Sequence, residues 1–129
     1  MITREMYRYL ITLLMFSKNK VIDAVIEYNF HNKSPSELEK KYGIPRNSIR
    51  SYHQNFVAKG IRSVSEEELR EAVKKIVSEL KRRGLITKCR DAYCRCPVCK
   101  DLLDRQYLTL HVILSHRKLI DEIIEVIGG

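Results

Sequence analysis

The chain has 129 residues and a net charge of +8, with 44% hydrophobic and 31% charged residues. This composition is typical of a folded protein and excludes an intrinsically disordered chain. The longest apolar run near the N-terminus, residues 9–16, is too short to span a membrane, and no secretory signal precedes it, so we expect a cytoplasmic protein. The charge favours a polyanionic partner, although a solvated lysine-rich surface explains it equally well.

Apolar spacing and capping residues predict helices over residues 3–17, 18–30, 35–42, 46–58 and 66–83. Two of these helices begin with a capping box, formed by Ser34 with Glu37 and by Ser65 with Glu68. A glycine directly follows each of the two, as is usual where a helix ends. The region is therefore expected to be a succession of short, well-delimited helices.

The helix over residues 66–83 carries an apolar stripe with coiled-coil-like spacing, made of Leu69, Val73, Ile76 and Leu80. The ordinary interpretation is a face packed on the core of the same chain. A dimer seam is the alternative. Downstream, residues 85–99 are predicted to form a short hairpin, and a last, bent helix is predicted from about Asp104 to Ile127.

Cysteine and histidine residues are concentrated near the C-terminus in the pattern Cys96-x2-Cys99-x11-His111-x4-His116. Two cysteines on a tight turn and two histidines just over one helical turn apart can supply the ligands of one tetrahedral zinc ion per chain. Such a shell has no open position for a reacting water molecule. We therefore expect a structural metal site whose binding energy is used to fold a small segment.

The same region offers a rival ligand set, a four-thiolate site made of Cys89, Cys94, Cys96 and Cys99. The single residue between Cys94 and Cys96 argues against two ligands from that pair. Strand alternation places both on one face, so Cys94 is expected to pack beneath the metal. For Cys89 a small, unpaired thiol is expected. Crowded cysteines in a reducing compartment favour metal binding over disulfides.

Residues 94–116 resemble a C2H2 zinc finger, with Leu103 and Leu108 at the apolar positions of that family. In the family the helix positions that face DNA bases correspond here to Asp104, Tyr107 and Leu110, and the last two are poor base readers.

Val112, Ile113 and Leu114 make the finger helix apolar on nearly every side. A helix of this kind is usually buried. We therefore expect the finger to pack against the rest of the chain, or against a second copy, and not to read DNA.

Residues 35–54 resemble the helix-turn-helix of bacterial and archaeal repressors, resolvases and transposases. Gly43 takes the place of the turn glycine, whereas Glu39 stands where the family prefers a small residue. The positions where the two helices touch are all apolar or aromatic: Leu38, Tyr42, Ile44, Ile49 and Tyr52. The resemblance implies that the second helix enters the major groove of DNA.

The side chains expected to read bases from that second helix are Arg46, Asn47, Arg50, Ser51 and Gln54. Flanking side chains expected to contact phosphates are Lys40, Lys41, Lys59 and Arg62. A second basic cluster lies within residues 81–118, where Lys81, Arg82 and Arg83 either grip phosphates or form a solvated helix end.

These features predict a mainly α protein with a helix-turn-helix domain in residues 1–64 and a connecting helix in 65–84. Residues 85–129 are predicted to form a ββα zinc finger with an extended C-terminal helix. Chains that join these motifs resemble small transcription regulators of archaea and their viruses. The resemblance implies a non-enzymatic, homodimeric protein that binds double-stranded DNA in the cytoplasm of a cell or viral host.

Two alternatives remain open at this level. One is a zinc-stabilised protein–protein interaction module that binds no DNA, and the other is an accessory protein of a recombinase or nuclease. Neither a membrane nor a small-molecule substrate is expected as a partner.

Overall fold

The computed structural model describes residues 1–128, which form seven α-helices and one two-stranded sheet. The helices are α1 (Arg4–Met15), α2 (Asn19–Phe30), α3 (Pro35–Tyr42), α4 (Arg46–Ala58), α5 (Glu66–Arg83), α6 (Leu108–Ser115) and α7 (Arg117–Val126). The antiparallel strands are β1 (Tyr93–Arg95) and β2 (Leu102–Asp104), and short 3-10 turns cover Ile61–Ser63 and Arg105–Tyr107. The chain is thus mainly helical, as predicted.

The ends of α3 and α5 are set by the capping residues that the sequence indicated. The Ser34 hydroxyl accepts a hydrogen bond from the Glu37 backbone N–H at 3.2 Å, and Ser65 accepts one from Glu68 at 3.1 Å. Both glutamates reach back to the capping residue, so both capping boxes are complete. Gly43 ends α3 with a φ of 71°, a left-handed conformation that glycine adopts without strain.

Helix α1 lies at the centre of the main core. All of its side chains from Tyr9 onward are buried, and α5, α6 and α7 pack around it. Arg8 fixes α7 to α1, because its Nε donates a hydrogen bond to Asp121 Oδ1 at 3.0 Å. The apolar N-terminal run is therefore the centre of a protein core. Within residues 1–128 no helix combines the length and the hydropathy needed to cross a membrane.

The apolar stripe of α5 faces the core of its own chain. Leu69, Ile76 and Leu80 have no exposed surface, and Val73 lies at the edge of the same cluster. The ordinary interpretation of the stripe is confirmed.

A smaller cluster joins α2, α3 and α4. Leu38 of α3 and Ile49 of α4 are each 1% exposed, and Tyr42 and Ile44 pack at the rim of the cluster. Tyr52, the remaining predicted contact, instead packs against the main core. The two clusters therefore hold α4 from one side and leave its opposite face in solvent.

The hairpin differs from its predicted position over residues 85–99. Its strands begin only at residue 93 and its second strand ends at residue 104. The preceding segment hydrogen-bonds to the end of α1 instead, because the Thr87 N–H donates to the Met15 carbonyl and the Ser17 hydroxyl donates to the Thr87 carbonyl, both at 2.8 Å. The predicted C-terminal helix is likewise two helices, interrupted at His116.

Candidate metal centre and the exposed face of α4

Two cysteines and two histidines converge between the hairpin and α6. The ligand atoms of Cys96, Cys99, His111 and His116 all lie within 4.8 Å of one another. Within residues 1–128 this is the one group of Cys, His or acidic side chains with such an arrangement. The predicted set is therefore brought together, and its members lie close enough to hold a metal ion.

Two of the distances inside the cluster are close to those between the ligands of a tetrahedral ion. Zinc with bonds of about 2.3 Å to sulfur and 2.0–2.1 Å to nitrogen requires ligand atoms separated by roughly 3.3–3.8 Å. Cys99 Sγ lies 3.4 Å from His111 Nε2, and the two Nε2 atoms of His111 and His116 lie 3.2 Å apart. Both histidines thus present the same ring nitrogen towards one point, as ligands of a shared ion do.

The hairpin turn supplies Cys96 and Cys99, α6 supplies His111, and His116 lies between α6 and α7. The turn between β1 and β2 is closed by hydrogen bonds from the Cys96 N–H to the Asp101 carbonyl and from the Lys100 N–H to the Cys96 carbonyl, both at 2.9 Å. This turn places Cys96 and Cys99 side by side. On the inner face of α6, Leu108 and Val112 are buried in the main core. An ion held here would fasten the hairpin to a helix that is itself packed on α1.

The surroundings of His116 favour the protonation state that binds metals. Burial lowers the pKa of His116, and the neighbouring His111 lowers it further. A lower pKa keeps the imidazole neutral at physiological pH, and the neutral ring has the free nitrogen lone pair that coordination needs.

The remaining two cysteines are outside the ligand cluster and are bonded to each other. Cys89 and Cys94 form a disulfide, whereas Cys96 and Cys99 are free. The expectation of an unpaired thiol at Cys89 is therefore wrong, and Cys94 is buried in the main core as half of this disulfide. The rival four-thiolate set is not assembled. Spacing did not reveal the pair because the loop before β1 folds back in a way that no local pattern indicated.

The outer face of the finger helix is more exposed than predicted. Leu108 and Val112 are buried, but Tyr107, Leu110 and Leu114 are 56%, 55% and 71% exposed. The segment does pack against the rest of the chain, as one of the two expected arrangements, but α1 covers only one side of α6. The exposed side chains form an apolar stripe on the face opposite α1.

The outward face of α4 carries all the side chains predicted to read bases. Arg46, Asn47, Arg50, Ser51 and Gln54 are exposed, and α4 contains no acidic residue. Arg50 Nη1 donates a hydrogen bond to Asn47 Oδ1 at 3.3 Å, so these two side chains form a pair on the surface. The face thus offers both donors and acceptors without a carboxylate of its own.

Glu39 holds the start of α4. Its carboxylate accepts a hydrogen bond from the Arg46 backbone N–H at 3.3 Å and one from Arg46 Nη2 at 3.1 Å. Pro45, at the N-cap position, provides no side-chain cap, so Glu39 supplies the missing acceptor.

Glu27 of α2 is a buried carboxylate that sequence patterns did not single out. Lys41 Nζ donates to both of its oxygens at 3.0 Å, and the Tyr42 hydroxyl donates to Oε2. The hydrogen bond from Tyr42, followed by that from Lys41, lowers the pKa of Glu27. Lys41, predicted to contact phosphate, thus has an internal partner. The only signal in the sequence for this role was the position of the Glu27 charge next to apolar residues of α2.

The other side chains predicted to contact phosphates differ in whether they already have a partner within the chain. Lys40 and Arg62 are exposed and make no ion pair in the described chain. Lys59 Nζ lies over the Tyr9 ring, 4.8 Å from its centroid. This cation–π contact holds Lys59 against α1 at the C-terminal end of α4.

The basic end of α5 is partly neutralised. Arg82 and Arg83 each place a nitrogen 2.6 Å from Glu79 Oε2. Their hydrogen bonds lower the pKa of Glu79 to about 2. The two arginines therefore make a local ion-pair network, which weakens the prediction that this cluster contacts phosphates.

Comparison of the chain with known protein families, curated proteins and solved structures finds no match. Its function is therefore inferred from the chemistry and geometry of its own residues.

Proposed function

We propose that the protein binds double-stranded DNA by inserting α4 into the major groove. The observation that carries this proposal is the solvent-exposed face of α4, where arginine and amide side chains stand without any carboxylate on the helix. Arginine pairs with guanine edges, and asparagine or glutamine with adenine. Residues 31–62 around this helix contain seven Lys or Arg against two Glu, which suits a polyanion.

The arrangement around α4 supports a helix-turn-helix unit. Helix α3 ends at Gly43, α4 begins at Arg46, and both pack on α2 through the Leu38–Ile49 cluster. In that motif the N-terminal residues of the second helix reach base edges while neighbouring residues contact the backbone. Arg46 and Asn47 occupy that N-terminal position here. To read a base, the Arg46 side chain must break its ion pair with Glu39 and form hydrogen bonds with the base instead.

We propose zinc as the ion of the Cys96–Cys99–His111–His116 cluster. Two thiolates and two imidazoles in a tetrahedron are the donor set that zinc prefers, and all the positions around the ion are then taken by protein ligands. The site is therefore structural. It braces the hairpin and α6 against α1 and takes no part in catalysis.

The biological role that fits these parts is a sequence-specific, non-enzymatic transcription regulator acting as a homodimer in the cytoplasm. Two copies would match a two-fold operator and supply the affinity that one unit lacks. The Cys89–Cys94 disulfide fits this compartment if the cell is a hyperthermophilic archaeon, since intracellular disulfides are common there. The native mass of the protein with and without DNA tests the dimer.

The test of DNA reading uses a site selected from random duplexes by the wild-type protein. Arg46→Ala and Arg50→Ala are each expected to reduce affinity for that site by roughly 5- to 150-fold, which corresponds to a loss of about 1–3 kcal/mol per base-reading side chain. Binding to unselected DNA should change much less. The matched control is Arg70→Ala, an exposed arginine on α5. If both α4 variants bind the selected site like the control, α4 does not read DNA.

A second candidate function is a metal-stabilised protein-interaction module, and the exposed stripe of Tyr107, Leu110 and Leu114 favours it. Apolar association and phosphate contacts respond oppositely to salt, because DNA affinity falls steeply as salt rises. Binding to a natural partner that persists at high salt and is lost in Leu110→Lys would support this alternative. An accessory role to a recombinase or nuclease has no comparable structural support.

A further inference from the structure

A cavity of about 280 Å³ lies between α1, α4 and the 3-10 turn that precedes α6. Its apolar lining includes Leu13 of α1, Phe16 directly after α1, and Leu108 of α6. Polar side chains line the rest, among them Tyr52 and Asn55 of α4. The N-terminal helices and the metal-bearing segment therefore build this cavity jointly.

Two cations face this cavity without a compensating charge. Lys18 and Arg105 both line it, and no acidic residue does. Neither residue forms an ion pair with a carboxylate in residues 1–128. Burial and the nearby Arg105 charge together lower the pKa of Lys18. An anion bound between the two cations would relieve this repulsion.

The neutral groups around the cavity can hydrogen-bond to such an anion. The Asn55 amide lies close to Tyr9, with Nδ2 3.4 Å from the Tyr9 hydroxyl oxygen, and both residues line the cavity. Tyr52 and Gln106 contribute a hydroxyl and a further amide. Cationic and neutral donors arranged in this way are the groups that contact phosphate oxygens in DNA complexes.

The cavity adjoins the face of α4 assigned to base reading. Asn55 follows Ser51 by four residues, so the two side chains lie on the same side of the helix, one turn apart. A duplex whose major groove contains the Arg46–Ser51 face would carry its backbone alongside that turn. The mouth of the cavity is therefore placed beside a DNA strand.

We propose that this cavity binds a phosphate group of the DNA backbone while α4 occupies the major groove, with Lys18 and Arg105 as its cationic contacts. The inference rests on the proposed DNA-binding function. In this arrangement the segment that carries the metal site contacts the DNA backbone through Arg105, and its helix does not read bases. The hairpin positions Arg105, because the Arg105 N–H donates to the Ala92 carbonyl at 2.8 Å.

The test measures the affinity of the full chain, loaded with zinc, for a short fluorescent duplex at several salt concentrations. The variants are Lys18→Gln, Arg105→Gln and the double variant. Lys20→Gln and Lys118→Gln are matched controls, since both lysines are exposed and lie outside the cavity. Each lost contact should reduce the slope of log K against log salt by about 0.9, or about eightfold in affinity per tenfold change in salt.

A second arm separates DNA from free phosphate as the source of the ligand. Inorganic phosphate is titrated into the protein without DNA, and amide NMR shifts around residues 105–109 are followed. A reduced slope in the double variant, with controls like wild type, supports the proposal. A slope equal to that of the controls overturns it, even if Arg46→Ala still weakens binding to the selected site.

A wild-type protein that binds no DNA would refute the proposed function. The phosphate titration would then show whether the cavity binds an anion. Saturable shifts that vanish in the double variant would assign the cavity to a free phosphate-bearing molecule. Their absence would refute an anion site altogether. Thermal unfolding of each variant verifies that the fold is retained.

Discussion

Glu27 is expected to hold α3 against α2. Its carboxylate receives the Tyr42 hydroxyl and the Lys41 ammonium, which joins α2 to the end of α3. A hydrogen bond to a charged group contributes about 1.5–3 kcal/mol. The Lys41 side chain is 59% exposed, so solvent screening limits its contribution to about 1 kcal/mol or less. Glu27→Ala should therefore lower the free energy of unfolding by about 3 kcal/mol.

Glu27→Gln separates the loss of charge from the loss of the hydrogen bond. The amide oxygen can still accept from the Tyr42 hydroxyl, so we expect a loss of only about 1 kcal/mol. Urea unfolding followed by circular dichroism measures each value. Glu122→Ala is the matched control, since Glu122 is an exposed helical glutamate, and it should change stability by less than about 0.5 kcal/mol.

A double-mutant cycle with Tyr42→Phe isolates the interaction between Glu27 and Tyr42. The coupling energy between them should be about 1–2 kcal/mol, because the two groups are in direct contact. If Glu27→Ala is no more harmful than Glu122→Ala, or if its effect adds to that of Tyr42→Phe without coupling, the carboxylate does not fasten α3 to α2.

Three further predictions concern the metal site and the ion pairs. Cys96→Ser, or removal of the ion with a chelator, should abolish stoichiometric zinc binding and raise hydrogen exchange in residues 93–116, while the α3–α4 region stays protected. The double variant Cys89→Ser, Cys94→Ser should retain one zinc per chain and lose about 2 kcal/mol of stability, because the disulfide closes a short loop. Loss of zinc in this variant would instead support the four-thiolate set as the ligands. Acid should destabilise the protein between about pH 4.5 and pH 2, because the pKa of Glu79 is near 2 in the folded protein and 4.5 in the unfolded chain. The stability that ionised Glu79 contributes is complete above pH 4.5 and is lost as the pH falls through the folded-state pKa. Glu79→Gln should flatten the melting temperature across that range, and an unchanged profile would contradict the pairing with Arg82 and Arg83.

Local chemistry explains which structural predictions succeeded. A capping box needs only residues three apart, and a helix-ending glycine needs only its own backbone, so the bounds of α3 and α5 could be predicted from the sequence. The ligand set Cys96–His116 was predictable for the same reason. Local spacing places the two cysteines in one turn and the two histidines about one helical turn apart, and the short connection between the hairpin and α6 brings the two pairs together.

Features that depend on distant parts of the chain were missed or misjudged. The hairpin starts late because Thr87 hydrogen-bonds to Met15, which is distant in sequence. Tyr107, Leu110 and Leu114 are exposed because α1 covers only one side of α6, and apolar composition alone cannot indicate which side.

Spacing within short segments was enough to predict the helical architecture, the Cys and His side chains that lie close enough to hold a metal ion, and the residues presented by α4. The partners of the charged groups could be seen only in the folded chain. Lys41 pairs with Glu27 and Arg46 with Glu39, whereas Lys18 and Arg105 line one cavity that contains no carboxylate. The physical reason is that electrostatic pairing depends on distance in space and on burial, which are set only when separate helices pack together.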